Sequence, residues 1–148
     1  MKIVRADLSH LTELARLFDS YRQFYDCEPD RKLATEFIHA RLANHESVIF
    51  LALDNQDKAI GFTQLYPSFC SVDAIKIFIL YDLYVDTDAR QLSAGRTLME
   101  KASEYVKAAG GARIDLLTGK DNDRARTLYE KLGYEKTNED FYAYSLTL

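Results

Sequence analysis

The 148-residue chain has no tryptophan, two cysteines, two prolines and six glycines. Two cysteines, Cys27 and Cys70, cannot build a disulfide scaffold and match no metal-ligand spacing, so reduced thiols in an intracellular protein are expected. The scarcity of glycine and proline excludes collagen-like and low-complexity disordered classes. Long apolar runs are missing as well. The longest, residues 77–81, falls far short of the ~20 residues needed to cross a bilayer. Residues 1–7 hold no apolar stretch of signal-peptide length. There is no excess of basic charge: 19 Lys and Arg stand against 23 Asp and Glu, a net charge of −4. A nucleic-acid binder more often carries the opposite balance. The expectation is a soluble, cytoplasmic protein with no nucleic-acid partner and no membrane.

What is present is an ordinary core-forming composition, with 47% hydrophobic and 28% charged residues. With no internal repeat and no linker, one domain over residues 1–148 is expected. Residues 2–6 read as a strand. Leu11, Leu14, Ala15, Phe18, Tyr21 and Tyr25 recur at helical spacing over about 8–25, with Asp7 or Ser9 as cap. Pro29 interrupts, and Leu33, Phe37, Ile38 and Leu42 mark a second helix. The period then changes. Residues 48–66 read as a hairpin and residues 75–85 as a central strand. Leu98, Met99, Ala102, Tyr105 and Val106 give a helix ended by Gly110-Gly111. A short strand at 113–118, a helix at 122–132 and two closing strands, 134–136 and 141–146, complete the order. The strand–helix–strand passage over 75–118 requires a parallel pair with a right-handed crossover. The fold class is α/β: a mixed central sheet with helices on both faces.

The stretch richest in chemistry is Leu83-Tyr84-Val85-Asp86 followed by Arg90-Gln91-Leu92-Ser93-Ala94-Gly95-Arg96. A strand ends, a polar loop with small residues follows, and a helix begins. The opening turn of a helix carries N–H groups without intrahelical partners and a partial positive charge. Small residues at Ser93, Ala94 and Gly95 let a bulky anion approach that backbone. Arg90 and Arg96 can add charge-assisted hydrogen bonds.

This segment resembles the pyrophosphate-binding Gln/Arg-x-x-Gly-x-Gly/Ala pattern of the GCN5-related N-acetyltransferases (GNAT). Arg90 takes the first place and Gly95 the last, while Ser93 stands where the pattern has its middle glycine. A second segment, Asn122-Asp123-Arg124-Ala125-Arg126-Thr127-Leu128-Tyr129-Glu130-Lys131-Leu132-Gly133-Tyr134, is similar to the family's Asn-x-x-Ala-x-x-x-Tyr-x-x-x-Gly-Phe/Tyr segment. With the element order, the resemblance covers nearly the whole chain. It implies a GNAT fold, splayed parallel strands that form the acetyl-CoA cleft, and acetyl-CoA as co-substrate with no metal. The expected donor site is Leu83, Tyr84, Val85, the loop from Arg90 to Arg96 (Arg90, Gln91, Leu92, Ser93, Ala94, Gly95, Arg96), Asn122 and Tyr129.

Acetyl transfer needs a neutral amine to attack a thioester carbonyl, N–H donors for the oxygen that gains charge, and a proton for the departing thiolate. By its place in the family pattern Tyr129 is the phenol that protonates the thiolate. Asp82, a carboxylate flanked by Tyr81 and Leu83, is either paired or functional; it is expected to bind or deprotonate the amine. Asn122 has two compatible roles, cap of the last helix and partner of the pantetheine arm. Tyr21 and Tyr25, followed by Glu28, suit an ammonium through cation–π and charge contacts. His10, His39 and His45 read as structural or exposed. The aromatic end, Phe141-Tyr142-Ala143-Tyr144, reads as sheet and as the edge of a homodimer. The expected activity is acetyl transfer by direct attack in a ternary complex, to a primary amine on a polyamine-like small molecule or on a lysine side chain of a peptide. The rival readings are an aminoglycoside or amino-acid-derivative acetyltransferase and a non-catalytic CoA-binding module.

Overall fold

Runs of β-branched and aromatic residues build five strands, of which β2 (Val48–Leu53) is buried along its whole length. A computed structural model describes residues 1–148, the side chain of Gln91 excepted. The chain divides into two units, Met1–Leu116 and Leu117–Leu148.

The first unit contains β1 (Lys2–Arg5), α1 (Leu11–Phe24), α2 (Arg31–Ala43), β2 (Val48–Leu53), β3 (Ala59–Cys70), β4 (Ile75–Val85), α3 (Ala94–Ala108) and β5 (Arg113–Asp115). The sheet follows chain order, β1-β2-β3-β4-β5. The first three pairings are antiparallel. The last, across α3, is parallel. The first helical stripe opens with a 3₁₀ turn, Leu8–His10, whose cap Asp7 accepts from the Ser9 N–H while the His10 side chain answers the Asp7 N–H. His10 is therefore a capping residue, as its structural reading required.

Two helical layers cover the sheet. Leu14, Leu17 and Phe18 of α1 and Ala34 and Ile38 of α2 pack with Ile49, Leu51 and Phe62 on one face. On the other, Tyr105 of α3 meets Phe50 and Phe78 with ring centroids 5.7 and 5.8 Å apart. Leu98, Met99 and Ala102 are fully buried on α3. Gly110, past the end of α3, sits at φ 79°, a left-handed position that glycine takes without strain.

Two expectations are corrected. The strand expected over 113–118 is only Arg113–Asp115, because β4 offers it just three partners, Ile77, Phe78 and Ile79. The closing strands at 134–136 and 141–146 do not form. The second unit contains one regular element, α4 (Asp123–Lys131). Phe141, Tyr142 and Tyr144 are largely exposed. Alternating aromatics favour a strand only where a neighbour supplies the ladder.

Candidate active site

The fourth strand of the sheet, β4, is not a uniform strand. Its register with β3 runs Leu65↔Leu80 and then Gln64↔Asp82, so Tyr81 is an extra residue, a β-bulge. The bulge changes which way the strand faces. Phe78 packs on Tyr105 of α3, whereas Tyr84 packs on Tyr21 of α1, centroids 6.5 Å apart. In an unbroken strand these two even-numbered residues would share a face. The bulge thus carries Asp82 and Tyr84 to the α1 side. The same strand half loses its other neighbour, since the ladder to β5 ends at Ile79↔Asp115. Leu83, Tyr84 and Val85 lie beyond that point, half-buried. This is a fork of the kind expected between the parallel strands.

The end of β4 is tied down firmly. The Asp86 N–H donates to the Ile60 carbonyl at 2.9 Å. The Asp86 carboxylate meets Arg16 Nη1 at 3.1 Å, and Arg16 Nη2 donates to the Ala59 carbonyl at 2.7 Å. Burial works against the Arg16 charge, but Asp86 and Glu13 outweigh it and raise its pKa. Gly61 lets β3 approach: a Cβ there would lie 2.8 Å from the Tyr84 carbonyl oxygen and 3.1 Å from Val85 Cγ2.

The loop after β4 makes a 3₁₀ turn, Thr87–Leu92, and then Ser93 adopts φ 58°, ψ 18° directly before α3. That left-handed conformation favours glycine, which gives a physical reason for a glycine at this place in the family pattern. The Ser93 side chain makes no capping bond, and its carbonyl receives the first helical bond, from Thr97, at 3.1 Å. The N–H groups of Ala94, Gly95 and Arg96 precede that bond and have no acceptor within the helix. Ala94 is fully buried under the turn, while Leu92 and Ser93 are exposed and Gly95 is half-buried. Arg90 folds back, Nε 3.4 Å from the Val85 carbonyl. Arg96 pairs through Nε with Glu100 at 2.8 Å on an exposed surface, a contact too weak to hold it from a stronger anion. The Gln91 side chain lies outside the described residues. An opening helix turn with an exposed Ser93, a half-buried Gly95 and two arginines fits a pyrophosphate.

Asp82 is 4% exposed. Burial pushes its carboxyl pKa up, and hydrogen bonds from Gln64 and Tyr21 pull the other way. Gln64 Nε2 donates to Asp82 Oδ2 at 2.6 Å. Two tyrosine pairs lie nearby: Tyr21, which bonds Asp82, stands edge to face with Tyr25 at 5.1 Å, and Tyr66, whose phenol feels the Asp82 charge, with Tyr81 at 5.7 Å. Burial, and then the charge of Asp82, push the Tyr66 phenol up to about 12. The structure therefore brings Tyr21, and Tyr25 beside it, to Asp82. Glu28 is exposed on the loop between α1 and α2, and no described hydrogen bond or ion pair ties it to this cluster.

In the second unit Asn122 caps α4, its Oδ1 accepting from the Ala125 N–H at 3.3 Å. Tyr129 sits on α4 with its ring 5.9 Å from Tyr134. The Tyr134 N–H donates to the Tyr129 carbonyl at 3.0 Å, and Gly133 turns the chain at φ 89°.

Sequence reading missed Ser47, Gln64, Tyr66 and the Arg16–Asp86 tie. One signal was available: Gln64 is polar inside the apolar run 59–65, and a buried amide needs partners. Among the described residues no cluster could hold a metal ion, and no helix is long and apolar enough to cross a membrane.

The sequence profile of the acetyltransferase (GNAT) family matches residues 12–134. The chain is 45% identical to an uncharacterized N-acetyltransferase, YhfO, of Bacillus subtilis, over 92% of this chain and 91% of that protein. It is 35% identical to a probable acetyltransferase of Haemophilus influenzae, over 77% of this chain and 78% of that protein. A crystal structure of a probable acetyltransferase superposes with a TM-score of 0.91 at 38% identity, covering 100% of this chain and 98% of the other.

Proposed function

The chain belongs to the acetyltransferase (GNAT) family of acetyl-CoA-dependent N-acetyltransferases, and on that premise we propose that its acceptor is a primary amine, carried by a polyamine-like small molecule or by a lysine-type side chain. The observation that carries the reading is Asp82: a carboxylate buried among Tyr21, Tyr66 and Tyr81, on the strand half that has left β5. A carboxylate whose proton affinity is raised is suited to take a proton from an ammonium group. Tyrosine faces beside it suit the cation before that proton leaves. Tyr25 and Glu28 extend this wall toward the solvent-facing loop.

Acetyl-CoA supplies an activated acetyl thioester. The main-chain N–H groups of Ala94, Gly95 and Arg96, with Arg90 and Arg96, hold its pyrophosphate in this reading, and the loop residues Gln91, Leu92 and Ser93 shape the approach. The backbone of Leu83, Tyr84 and Val85, on the edge that β5 has left, pairs with the pantetheine arm and offers N–H groups to the carbonyl oxygen. Asn122 and Tyr129 enter by their places in the family pattern: Asn122 binds the pantetheine arm, and the Tyr129 phenol gives its proton to the thiolate. The ammonium nitrogen sheds two protons. One passes to Asp82 and then to solvent; the other balances the one that Tyr129 gives. The domain that acts in this way is residues 1–148, a reading supported by a family profile that runs through both units.

The test is release of free CoA across polyamines, lysine peptides, aminoglycosides and amino acids, with acetyl-CoA binding followed by calorimetry. Turnover with polyamines or lysine peptides is expected. Turnover confined to aminoglycosides or amino acids would overturn the acceptor class. Tight CoA binding without turnover on any amine would make the chain a binding module.

A further inference from the structure

Asp82 is held by β3 at two points. The Thr63 hydroxyl donates to its main-chain carbonyl at 2.8 Å, and the Gln64 amide donates to its carboxylate at 2.6 Å. Gln64 is itself held: its Oε1 accepts from the Ser47 hydroxyl at 2.7 Å. Thr63 and Gln64 are fully buried, and Ser47 is 9% exposed. Buried polar side chains in a row are retained only where each has its partner. These three do, in one direction: Ser47 O–H to Gln64 Oε1, then Gln64 N–H to Asp82 Oδ2. Turned over, the amide would set its oxygen against a carboxylate oxygen, two acceptors at hydrogen-bond distance. The Ser47 hydroxyl therefore matters beyond its own contact, because it rewards the orientation in which Gln64 presents a donor.

We propose that Ser47 and Gln64 are positioning residues for acetyl transfer: a buried two-step relay that occupies Oδ2 and fixes the Asp82 carboxylate beside the Tyr81 bulge as the group that takes the ammonium proton. The inference rests on the reading of Asp82 as the proton acceptor. In that step the ammonium N–H bond breaks, its electron pair stays on nitrogen for the attack, and the Asp82 carboxylate becomes a neutral carboxyl group. Oδ2 keeps its bond from Gln64 throughout, so the carboxyl group does not rotate as it changes charge. The other titratable groups around the relay are Tyr21 from α1, Tyr66 from β3 and Tyr81 on β4. Behind Tyr66 lie Arg41 of α2 and Glu46, which pair with each other at 3.2 Å.

The experiment uses Gln64→Met, which keeps length and removes the donor, together with the milder Ser47→Ala and the conservative Ser47→Thr. Two readouts are taken: the acid limb of kcat/KM against pH, and the ¹³C titration of the Asp82 carboxyl carbon in the whole protein. Removing the donor moves both upward, by about half a pH unit or more, so that activity on the acid limb falls about threefold or more. Ser47→Ala moves them less, in the same direction, and Ser47→Thr restores them. Should the Asp82 titration stay put in both Gln64→Met and Ser47→Ala while the proteins remain folded, the relay is overturned, whatever the activity. Asp82→Asn separates the underlying reading. If its acid limb persists unchanged, Asp82 is not the proton acceptor and the catalytic part of the proposal falls with it. If that limb disappears while Gln64→Met leaves it where it was, the acceptor stands and the relay does not.

Discussion

Ser93 is a non-glycine residue at a place in the chain that wants glycine, and replacing it tests the anion cradle directly. At φ 58° and ψ 18° its backbone is left-handed, which costs an L-residue with a Cβ about 1–2 kcal/mol. Ser93→Gly removes that strain but returns backbone freedom to the unfolded chain, worth about 0.5–1 kcal/mol. The hydroxyl makes no capping bond that would be lost. The net expectation is a gain of about 0.5–1 kcal/mol, read as a rise in Tm of about 1–4 °C for a chain of this size. Removing the side chain also clears the approach to the Ala94, Gly95 and Arg96 amides, so the Kd for acetyl-CoA should drop several-fold in the same variant. Ser93→Ala is the control: it keeps the strain, loses only the hydroxyl, and should leave both quantities almost unchanged. Denaturant melts and calorimetry on the three proteins decide the matter. A Ser93→Gly protein that melts lower and binds no better would refute both the strain and the cradle.

Three further outcomes are expected. Gly61→Ala pushes a methyl group into the Tyr84 carbonyl, 2.8 Å away; main chain cannot move aside cheaply, so stability drops by about 1–3 kcal/mol in urea melts, with weaker acetyl-CoA binding because Tyr84 and Val85 shift. Asp82 has a folded pKa above its ordinary 3.8, so its contribution to stability is full below that value and is lost as pH rises through the raised one. Asp82→Asn should therefore be as stable as the parent or more so at pH 7, by about 1.4 kcal/mol per unit of upward shift, while turnover collapses; urea midpoints at pH 4 and pH 7 measure this, and a variant less stable at pH 7 contradicts it. Tyr129→Phe should lower kcat by about 100-fold or more with little change in acetyl-CoA affinity; equal turnover from neutral to alkaline pH removes Tyr129 from the mechanism.

Local signals carried the helices. The apolar stripe of α1, the cap at Asp7, the cap at Asn122 and the glycines at 110 and 133 are all encoded within a few residues of where they act. So is the loop from Arg90 to Arg96, because a strand end, small residues and a helix start are adjacent in the chain. The Tyr81 bulge was not legible: residues 75–85 read as one apolar run, and only the pairing with β3 shows where the phase changes. Ser47 and Gln64 escaped for a related reason, since their link to Asp82 exists only once β2, β3 and β4 are in register. Arg16 and Asp86, 70 residues apart, look like ordinary surface charges until the strand ends meet. The closing strands were over-read because alternation is not sufficient for a strand; Tyr142 and Tyr144 alternate around Ala143, and no strand forms there.

Half of β4 runs on past a three-residue neighbour, and this has a bearing on handling the protein. A strand whose ladder has stopped on one side is a template onto which a stray polypeptide can add itself. The groups that would seat the pantetheine arm are the same groups that would seat such an intruder. Donor substrate would thus act as a stopper as well as a reactant, and purification in its presence should favour a well-behaved preparation by mass action.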